Sequence, residues 1–171
     1  MTGRRGAPSR LDRMIARLVM QRACLAHAAT LIADVPGPVL ELGLGKGRTY
    51  DHLRRLMPAR EIFVFDRSVH APLAARPDDD HLIVGDMART LPSALTRIGG
   101  PAALAHADIG SEDEEADAAN AVAVGRGLAG LMAEGGIVVS DRDLAVMAWT
   151  GLALPEAGSD WPYFMWRAAK A

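Results

Sequence analysis

The feature that most constrains this chain is a short apolar run that leads directly into alternating glycines. Residues 39–42 read Val-Leu-Glu-Leu, and glycines follow at positions 43, 45 and 47. A short apolar run bounded by glycine is typical of a buried strand, and glycine lets the backbone turn sharply with no Cβ in the way of a ligand. Residues 48–57 then predict a helix whose free N–H groups face the turn. The sequence therefore predicts a strand–turn–helix unit that binds a nucleotide-type cofactor.

The spacing of the glycines separates two classes of cofactor. In the dinucleotide fingerprint the third glycine lies three positions after the second, whereas Gly47 follows Gly45 by two and position 48 is Arg48. The carboxylate of Glu41 would also sit awkwardly near a pyrophosphate, but it could help to hold an ammonium group. We therefore expect a nucleoside that carries an amino acid. An NAD-dependent oxidoreductase is the alternative that the glycine spacing opposes.

An acidic residue followed by three alternating glycines resembles the first motif of the class I S-adenosylmethionine-dependent methyltransferases. In this chain Glu41, Gly43, Gly45 and Gly47 form the motif. The resemblance implies that these residues bind S-adenosyl-L-methionine and release S-adenosyl-L-homocysteine as the product. It also implies a Rossmann-like, doubly wound α/β fold with a mostly parallel seven-stranded sheet and an antiparallel C-terminal strand.

Two later strand patterns end in acids that suit the same cofactor. Residues 61–66 form an apolar run that closes on Asp66, about 20 residues after the glycine turn, where an acid can accept both ribose hydroxyls. Residues 81–87 predict a third strand that ends in Gly85, Asp86 and Met87, and the resemblance assigns Asp86 to the adenine amino group. An acid at the end of a strand also commonly caps a helix, and that alternative stays open for both acids.

Arg67 departs from the family pattern. Many members have an apolar residue at this position, which packs against adenine. The arginine either stacks its planar guanidinium on the base or points to solvent. We count it among the expected cofactor-binding residues.

The rest of the chain continues the alternation of helices and strands. The expected elements are a short helix near 70–75, a helix over 91–98, a fourth strand over 102–108, a long alanine-rich helix from 111 to about 133, a fifth strand over 137–140, and a C-terminal hairpin of strands 149–154 and 163–168. Ser111 and Glu114 are expected to cap the long helix. Gly135 suits the end of that helix, where a left-handed residue is needed.

An N-terminal helical extension precedes the first strand. Ser9 and Asp12 form a capping-box pattern, and one or two helices should follow. Their apolar stripe comprises Leu11, Met14, Ile15, Leu18, Val19, Leu25 and Ile32, with Arg10, Arg13 and Arg17 on another face. We expect residues 1–35 to pack on the sheet as part of one domain with the cofactor-binding residues 36–171. The alternatives are a lid over the cofactor site and a surface for forming a homo-oligomer.

Length and composition indicate a single soluble domain. The chain has 171 residues, of which 50% are hydrophobic, and a formal net charge of −2, which offers no overall attraction for nucleic acid. No apolar run is long enough to span a membrane, and the N-terminus lacks an apolar signal core, so we expect a cytoplasmic protein with no membrane partner. The single cysteine, Cys24, is expected to be a packed core residue.

Candidates for the acceptor site follow the fourth and fifth strands. The carboxyl ends of parallel strands form the ligand-binding edge of such a sheet, which brings Asp108 and Ser111 near Asp141 and Arg142. Asp108 could take a proton from the acceptor, or it could cap the following helix. Ser111, Asp141 and Arg142 are expected to contact the acceptor. His106 lies inside a strand pattern and is expected to be a buried structural histidine.

No metal site is expected, although Asp108 and Asp141 partly resemble the acids with which catechol-type O-methyltransferases bind a divalent cation. The third ligand of that family is an asparagine, and this chain has Arg142, whose permanent charge disfavours a cation beside it. The amino-methyltransferase signature of an Asn or Asp, two prolines and an aromatic is also missing after the fourth strand. We therefore expect transfer of a methyl group to an oxygen or nitrogen of a small molecule and not to nucleic acid. The alternative is an interaction module that binds the cofactor without turnover.

Overall fold

The computed structural model describes residues 7–111 and 113–169 and contains one mixed β-sheet. The strands are β1 Val39–Leu42, β2 Ile62–Asp66, β3 Leu82–Val84, β4 Ala102–Ala107, β5 Met132–Ser140, β6 Thr150–Gly151 and β7 Phe164–Arg167. Their order in the sheet is β3-β2-β1-β4-β5-β7-β6. Strands β1 to β5 are parallel, and β7 runs antiparallel to β5 and to β6. The predicted fold class is confirmed.

The described part of the chain contains four α-helices beside the sheet: α1 Arg10–Leu31, α2 Arg48–Leu56, α3 Met87–Thr90 and α4 Glu114–Ala129. Single 3₁₀ turns cover Leu73–Ala75, Asp79–His81 and Leu91–Ser93. None of the helices within the described residues is both long enough and apolar enough to cross a membrane.

The sheet reverses its winding between β1 and β4. Strand β1 pairs with β2 on one side and with β4 on the other, both in parallel. The chain leads from β1 to β2 on one side and from β4 to β5 on the other, so the loops that follow β1 and β4 separate at the carboxyl ends of these two strands. Such a switch point is the position at which open α/β sheets bind ligands.

Helix α1 is a single helix, and its capping box is as predicted. The Ser9 hydroxyl accepts a hydrogen bond from the Asp12 N–H at 3.1 Å, and the Asp12 carboxylate accepts from the Ser9 N–H at 2.9 Å. The C-terminal half of α1 packs in one hydrophobic cluster with residues of β1, β4 and β5. The predicted apolar stripe is only partly buried, because the early members Leu11, Met14, Ile15 and Leu18 are exposed. The division of the chain at residue 35 stays a prediction.

Several predicted element boundaries are wrong. The short helix near 70–75 is the 3₁₀ turn Leu73–Ala75, and the strand expected over 149–154 is β6, Thr150–Gly151. The expected helix over 91–98 does not form. A 3₁₀ turn covers Leu91–Ser93 directly after α3, which cannot continue through Pro92 because proline has no N–H. Helix α4 starts at the cap Asp113, whose side chain accepts from the Ala116 N–H, and not at Ser111. It also ends at Ala129 instead of near residue 133.

Gly135 lies within β5 and not at a helix end. It has a φ of 77°, and its N–H donates to the Ala168 carbonyl at 3.0 Å. The register between β4 and β5 shifts between Ala102 and Leu104, so the double glycine forms a bulge in an early-starting strand. The left-handed conformation of Gly135 was predicted correctly, but it occurs at a bulge in a strand and not at the end of a helix.

Candidate functional site

A cleft of about 510 Å³ opens at the switch point, within the usual size range of a small-molecule site. Its walls come from the glycine turn after β1, the carboxyl ends of β2 and β4, the first turns of α3 and α4, and helix α1. The predicted site residues that line it are Gly43, Gly45, Asp66, Arg67, Met87, Asp108 and Ser111. The predicted residues outside its lining are Glu41, Gly47, Gly85, Asp86, Asp141 and Arg142.

The glycines of the turn are required for different reasons. A Cβ on Gly43 would lie 2.3 Å from the Asp108 carbonyl oxygen, and one on Gly47 would lie 1.9 Å from the Ala75 carbonyl oxygen. A Cβ on Gly45 would meet no protein atom within 4 Å, and Gly45 lines the cleft. Gly43 and Gly47 therefore allow the chain to pack on itself, whereas Gly45 leaves open space where a ligand can approach the backbone.

Asp66 holds the glycine turn at the end of β2. Its Oδ2 accepts from the N–H groups of Leu44 at 2.7 Å and Gly45 at 3.3 Å, and its Oδ1 accepts from the Ser68 N–H at 3.2 Å. The carboxylate lines the cleft, and carboxylate oxygens have further lone pairs to offer. Its position beside the turn suits the predicted ribose contact, which stays a prediction.

Glu41 lies beneath the turn and not in the cleft. Its side chain is fully buried, with Oε2 2.7 Å from Nδ1 of His106 and Oε1 accepting from the Thr49 hydroxyl. Glu41 and His106 are partners on the neighbouring strands β1 and β4, so their side chains emerge on the same face. Direct contact between Glu41 and a ligand in the cleft would require these bonds to rearrange.

A buried polar network continues from His106 to helix α1. The Tyr163 hydroxyl lies 2.9 Å from Nε2 of His106 and accepts from the Gln21 amide at 3.2 Å. Burial alone lowers the pKa of His106, but the Glu41 carboxylate outweighs it and the pKa is raised overall. Burial also raises the pKa of Tyr163 well above its usual value, so the phenol is un-ionised. The expectation that His106 is buried is confirmed.

Asp108 faces the cleft and does not cap a helix. Its Oδ1 forms an ion pair with Arg17 of α1, and its Oδ2 accepts from the Gln21 amide at 3.0 Å. The side chains of Arg17 and Asp108 keep 29% and 22% of their exposure. The cap of α4 is Asp113 instead. The alternative role of Asp108 as a helix cap is therefore wrong, and its role as a proton acceptor stays a prediction.

Two acids clamp the loop between β4 and α4. Asp141 accepts from the N–H groups of Ile109 at 3.1 Å and Gly110 at 3.0 Å. Asp117 accepts at 2.7 Å from both the N–H and the hydroxyl of Ser111. Burial and the nearby Asp108 raise the pKa of Asp141, despite its two N–H donors. These bonds hold the loop in one conformation beside the cleft.

Arg142 pairs with Asp117 and does not line the cleft. Its Nη2 lies 2.7 Å from Asp117 Oδ2. Burial raises the pKa of Asp117, but the Ser111 donors and Arg142 outweigh it and the pKa is lowered. In the structure Asp141 bonds to the loop directly, and Arg142 bonds to Asp117, which holds Ser111 of the loop. Contact of Asp141 and Arg142 with an acceptor stays a prediction.

Of the predicted residues after β2 and β3, Arg67 and Met87 line the cleft, and Gly85 and Asp86 do not. Asp86 accepts from the Ala88 N–H at 3.0 Å and is the N-cap of α3. Gly85, with a φ of 151°, precedes it, and Met87 is buried against the cleft. Arg67 lines the cleft but is exposed. Asp86 therefore caps a helix, as the alternative interpretation of the sequence allowed, and its contact with adenine stays a prediction.

Several cleft residues were not predicted as site residues from the sequence. They are Arg17, Leu18, Gln21, Leu44, Lys46, Arg48, Thr49, Ala116, Asp117 and Asn120. Lys46, Arg48 and Thr49 lie next to the recognised glycines and could have been included on that ground. The residues of α1 carry no local signal, because their place in the site depends on how the helix crosses the sheet.

No group of three or more histidine, cysteine or acidic side chains is placed to hold a metal ion in the part of the chain that the structure describes. The oxygens of Asp141 already accept from backbone N–H groups, and Asp108 is paired with a guanidinium.

The cleft fits an adenosine that carries an amino acid. Gly45 leaves open space beside the backbone, Asp66 offers a carboxylate beside that space, and charged side chains of both signs lie at the β4 side. With the strand order and the switch point, these features define a class I nucleoside-cofactor fold of the methyltransferase type.

Comparison with known proteins identifies the family. A family model described as S-adenosyl-L-methionine methyltransferase matches residues 8–168. The crystal structure of an S-adenosyl-L-methionine methyl transferase from Silicibacter pomeroyi DSS-3 is 40% identical, with a TM-score of 0.88, and the match covers 95% of this chain and 100% of that chain. The chain belongs to this family of S-adenosyl-L-methionine methyltransferases, and its cofactor is S-adenosyl-L-methionine.

Distant structures share the fold. An rRNA methylase from Streptococcus thermophilus is 12% identical with a TM-score of 0.52, over 84% of this chain and 95% of that chain. The MycE methyltransferase of the mycinamycin biosynthetic pathway, in complex with Mg, SAH and mycinamycin VI, is 16% identical with a TM-score of 0.55, over 90% of this chain and 48% of that chain. A search of proteins of curated function found no match.

Proposed function

We propose that this protein transfers the methyl group of S-adenosyl-L-methionine to an oxygen or nitrogen of a small molecule. The observation that carries the proposal is the position of α1, which supplies Arg17, Leu18 and Gln21 to the cleft that the glycine turn forms. The helix narrows the ligand-binding edge of the sheet to a cleft of about 510 Å³. A space of this size supports a cofactor together with a small acceptor better than a folded macromolecule.

The contribution of the chain to the reaction is binding and alignment. The bound cofactor supplies a methyl group that its sulfonium already activates. We propose that Asp66 and the glycine turn hold the ribose, and that Asp86, Met87 and Arg67 surround the adenine. The loop that Asp141 and Asp117 clamp then gives the acceptor a rigid wall on the β4 side. Correct alignment of the reacting atoms accounts for most of the catalysis that such a transfer needs.

A proton must leave when the acceptor is a hydroxyl or an ammonium group. Asp108 is the proposed proton acceptor because its carboxylate faces the cleft. In the structure its Oδ1 is paired with Arg17, and its Oδ2 accepts from the Gln21 amide. Ser111, Asp141 and Arg142 stay proposed acceptor-site residues, of which Ser111 lines the cleft.

The second candidate is a module that binds the cofactor without turnover. The observation that favours it is that both carboxylate oxygens of Asp108, the one predicted proton acceptor, are already bonded, one to Arg17 and the other to Gln21. Product formation separates the two candidates. Release of S-adenosylhomocysteine in the presence of an acceptor supports the enzyme, whereas cofactor binding with no release across hydroxyl, amine and carboxylate acceptors supports the module.

The first experiment is isothermal titration of the purified chain with S-adenosylhomocysteine and, under the same conditions, with NAD. Both ligands contain adenosine and differ beyond it. Micromolar binding of S-adenosylhomocysteine with no binding of NAD is the expected result. Selective binding of NAD would refute the proposed function.

We also propose a cytoplasmic protein that acts without a nucleic-acid or membrane partner. The net charge of −2 and the free, buried Cys24 support this setting. A homo-oligomer formed through α1 is proposed as well, because Leu11, Met14, Ile15 and Leu18 expose an apolar surface on one helix. Sedimentation equilibrium of the wild type and of Leu11→Glu tests this oligomer, and identical monomer masses would refute it.

A further inference from the structure

A continuous chain of hydrogen bonds runs beneath the cleft from Glu41 to Asp108. Oε2 of Glu41 lies 2.7 Å from Nδ1 of His106, and Nε2 of His106 lies 2.9 Å from the Tyr163 hydroxyl. The Gln21 amide nitrogen bonds to the same hydroxyl at 3.2 Å and to Oδ2 of Asp108 at 3.0 Å. All of these side chains except that of Asp108 are buried. The chain therefore connects a buried acid to the carboxylate that we propose as the proton acceptor.

The hydrogen-bond partners of His106 assign its proton to one ring nitrogen. A carboxylate has no proton to donate, so Nδ1 of His106 must donate to Glu41. The two amide hydrogens of Gln21 are shared between Tyr163 and Asp108. The Tyr163 oxygen thus accepts from Gln21, and its own O–H has an acceptor in Nε2 of His106. The neutral histidine with its proton on Nδ1 therefore gives every donor of the chain an acceptor.

Addition of a proton to His106 breaks this pattern. The imidazolium has N–H groups at both ring nitrogens, so Nε2 then donates to the Tyr163 oxygen and can no longer accept from it. A buried hydroxyl without an acceptor is unfavourable. Gln21 can supply the acceptor if its carboxamide turns over and presents its oxygen in place of its nitrogen. An amide oxygen cannot donate to Asp108, so the bond to Oδ2 is then lost.

The charges around His106 favour the uptake of this proton. The charged and titratable groups near the ring come from five parts of the chain, and they are Glu41 of β1, Asp108 after β4, Asp141 after β5, Tyr163 before β7, and Arg17 of α1 through its pair with Asp108. Burial lowers the pKa of His106, but the three acids raise it, Glu41 most of all, and the pKa is raised overall. His106 therefore takes up a proton at a higher pH than an unperturbed histidine, whose pKa is 6.5.

We propose that Gln21, Tyr163 and His106 form a relay that switches one hydrogen bond of Asp108 on and off. With His106 neutral, Gln21 donates to Oδ2 and both carboxylate oxygens are engaged, as in the structure. With His106 protonated, Gln21 releases Oδ2, which becomes free to accept from a methyl acceptor, and Arg17 stays on Oδ1. The three relay residues are thus positioning residues that act through Asp108. The inference rests on the proposed function, because that function makes Asp108 the proton acceptor.

Nuclear magnetic resonance of the full chain, labelled with ¹⁵N and ¹³C and free of ligand, tests the relay. The ring-nitrogen signals of His106 report its tautomer and the midpoint of its titration, and the carboxyl-carbon signal of Asp108 reports a change in its bonds. Above the midpoint we expect the proton of His106 on Nδ1. As the pH falls, the Asp108 signal should shift with the same midpoint as the His106 ring.

The change Tyr163→Phe separates the relay from the direct electric field of the imidazolium. It removes the hydroxyl whose reversal turns Gln21, while His106 and Asp108 keep their charges. His106 should still titrate, but the accompanying shift of the Asp108 signal should fall to less than about half, since only the field acts through space. Tyr50→Phe is the matched control, because it removes a tyrosine hydroxyl outside the network, and it should behave as the wild type.

The wild type gives an independent result if Tyr163→Phe fails to fold. A neutral His106 with its proton on Nε2 would overturn the relay, because Tyr163 could not donate to that nitrogen. An Asp108 signal that ignores the titration of His106 would overturn it too, as would a full shift in Tyr163→Phe or a His106 that does not titrate in the folded protein. None of these measurements needs cofactor or methyl acceptor, so release of S-adenosylhomocysteine tests the proposed function separately.

Discussion

The buried hydroxyl of Tyr163 offers a sharp test of the network beneath the cleft. The change Tyr163→Phe removes one oxygen atom and keeps a ring that packs in the cluster between α1 and the sheet. The hydroxyl lies 2.9 Å from Nε2 of His106 and 3.2 Å from the Gln21 amide. Gln21 keeps its bond to Asp108 in the variant, but His106 Nε2 keeps only the Gln21 nitrogen at 3.5 Å.

The expected loss of stability follows from this count. A buried polar group that loses its partner costs about 1–3 kcal/mol, and the ring nitrogen of His106 becomes such a group. We expect the free energy of unfolding to fall by about 2 kcal/mol. With a urea dependence of about 2 kcal/mol per molar, the midpoint of unfolding should fall by about 1 M.

Urea unfolding followed by circular dichroism measures this shift, and the chain contains its own control. Its other tyrosine, Tyr50, is half-buried, and its hydroxyl has no hydrogen-bond partner among the described residues. Tyr50→Phe should therefore change the free energy of unfolding by less than about 0.5 kcal/mol. If both variants unfold at the same midpoint, the Tyr163 hydroxyl does not stabilise the network and the reasoning fails.

Three other predictions concern the turn, the buried histidine and the loop clamp. Gly45→Ala should weaken S-adenosylhomocysteine binding, measured by calorimetry, and should lower the free energy of unfolding by only about 1 kcal/mol. Gly47→Ala should lower the free energy of unfolding by more, because its Cβ would lie 1.9 Å from the Ala75 carbonyl oxygen. Because the folded protein raises the pKa of His106, the histidine should stabilise the fold fully below its unfolded pKa of 6.5, and this stabilisation should be lost as the pH rises through the folded pKa. Urea unfolding at several pH values should show this pH dependence in the wild type and not in His106→Asn. Asp117→Asn should lower the free energy of unfolding by about 1–3 kcal/mol at pH 7, measured by the same method, because Ser111 and Arg142 lose a charged partner.

The class of fold could be predicted because most strands have their own signal in the sequence. Apolar runs 39–42, 61–66 and 102–108 are bounded by glycine, proline or an acid, and their alternation with helices identifies the class of fold. Boundaries failed where tertiary pairing overrode local pattern. The early start of β5 depends on backbone bonds such as that from Gly135 to Ala168, which no local sequence rule reveals.

The site could be predicted only where its residues are close in sequence. Gly43, Gly45 and Asp66 line the cleft as expected, since a glycine turn and the acid after the next strand are local patterns. Glu41 was expected in the cleft because of its motif, but its partner His106 is 65 residues away in the chain and draws it beneath the turn. Arg17 was placed on a polar face by helical periodicity, and its pairing with Asp108 spans 91 residues.

The C-terminal segment holds α1, the helix that closes one side of the cofactor cleft. Arg13 of α1 lies 5.8 Å from the ring centre of Trp161, and the Ser159 hydroxyl donates to the Ala16 carbonyl at 2.8 Å. The loop before β7 thus fixes the part of α1 that precedes Arg17. Because β7 is paired with β5, the position of α1 over the cleft depends on the antiparallel end of the sheet. Helix α1 is therefore the wall of the site that the parallel strands cannot supply, and the C-terminal segment supports it from outside the cleft.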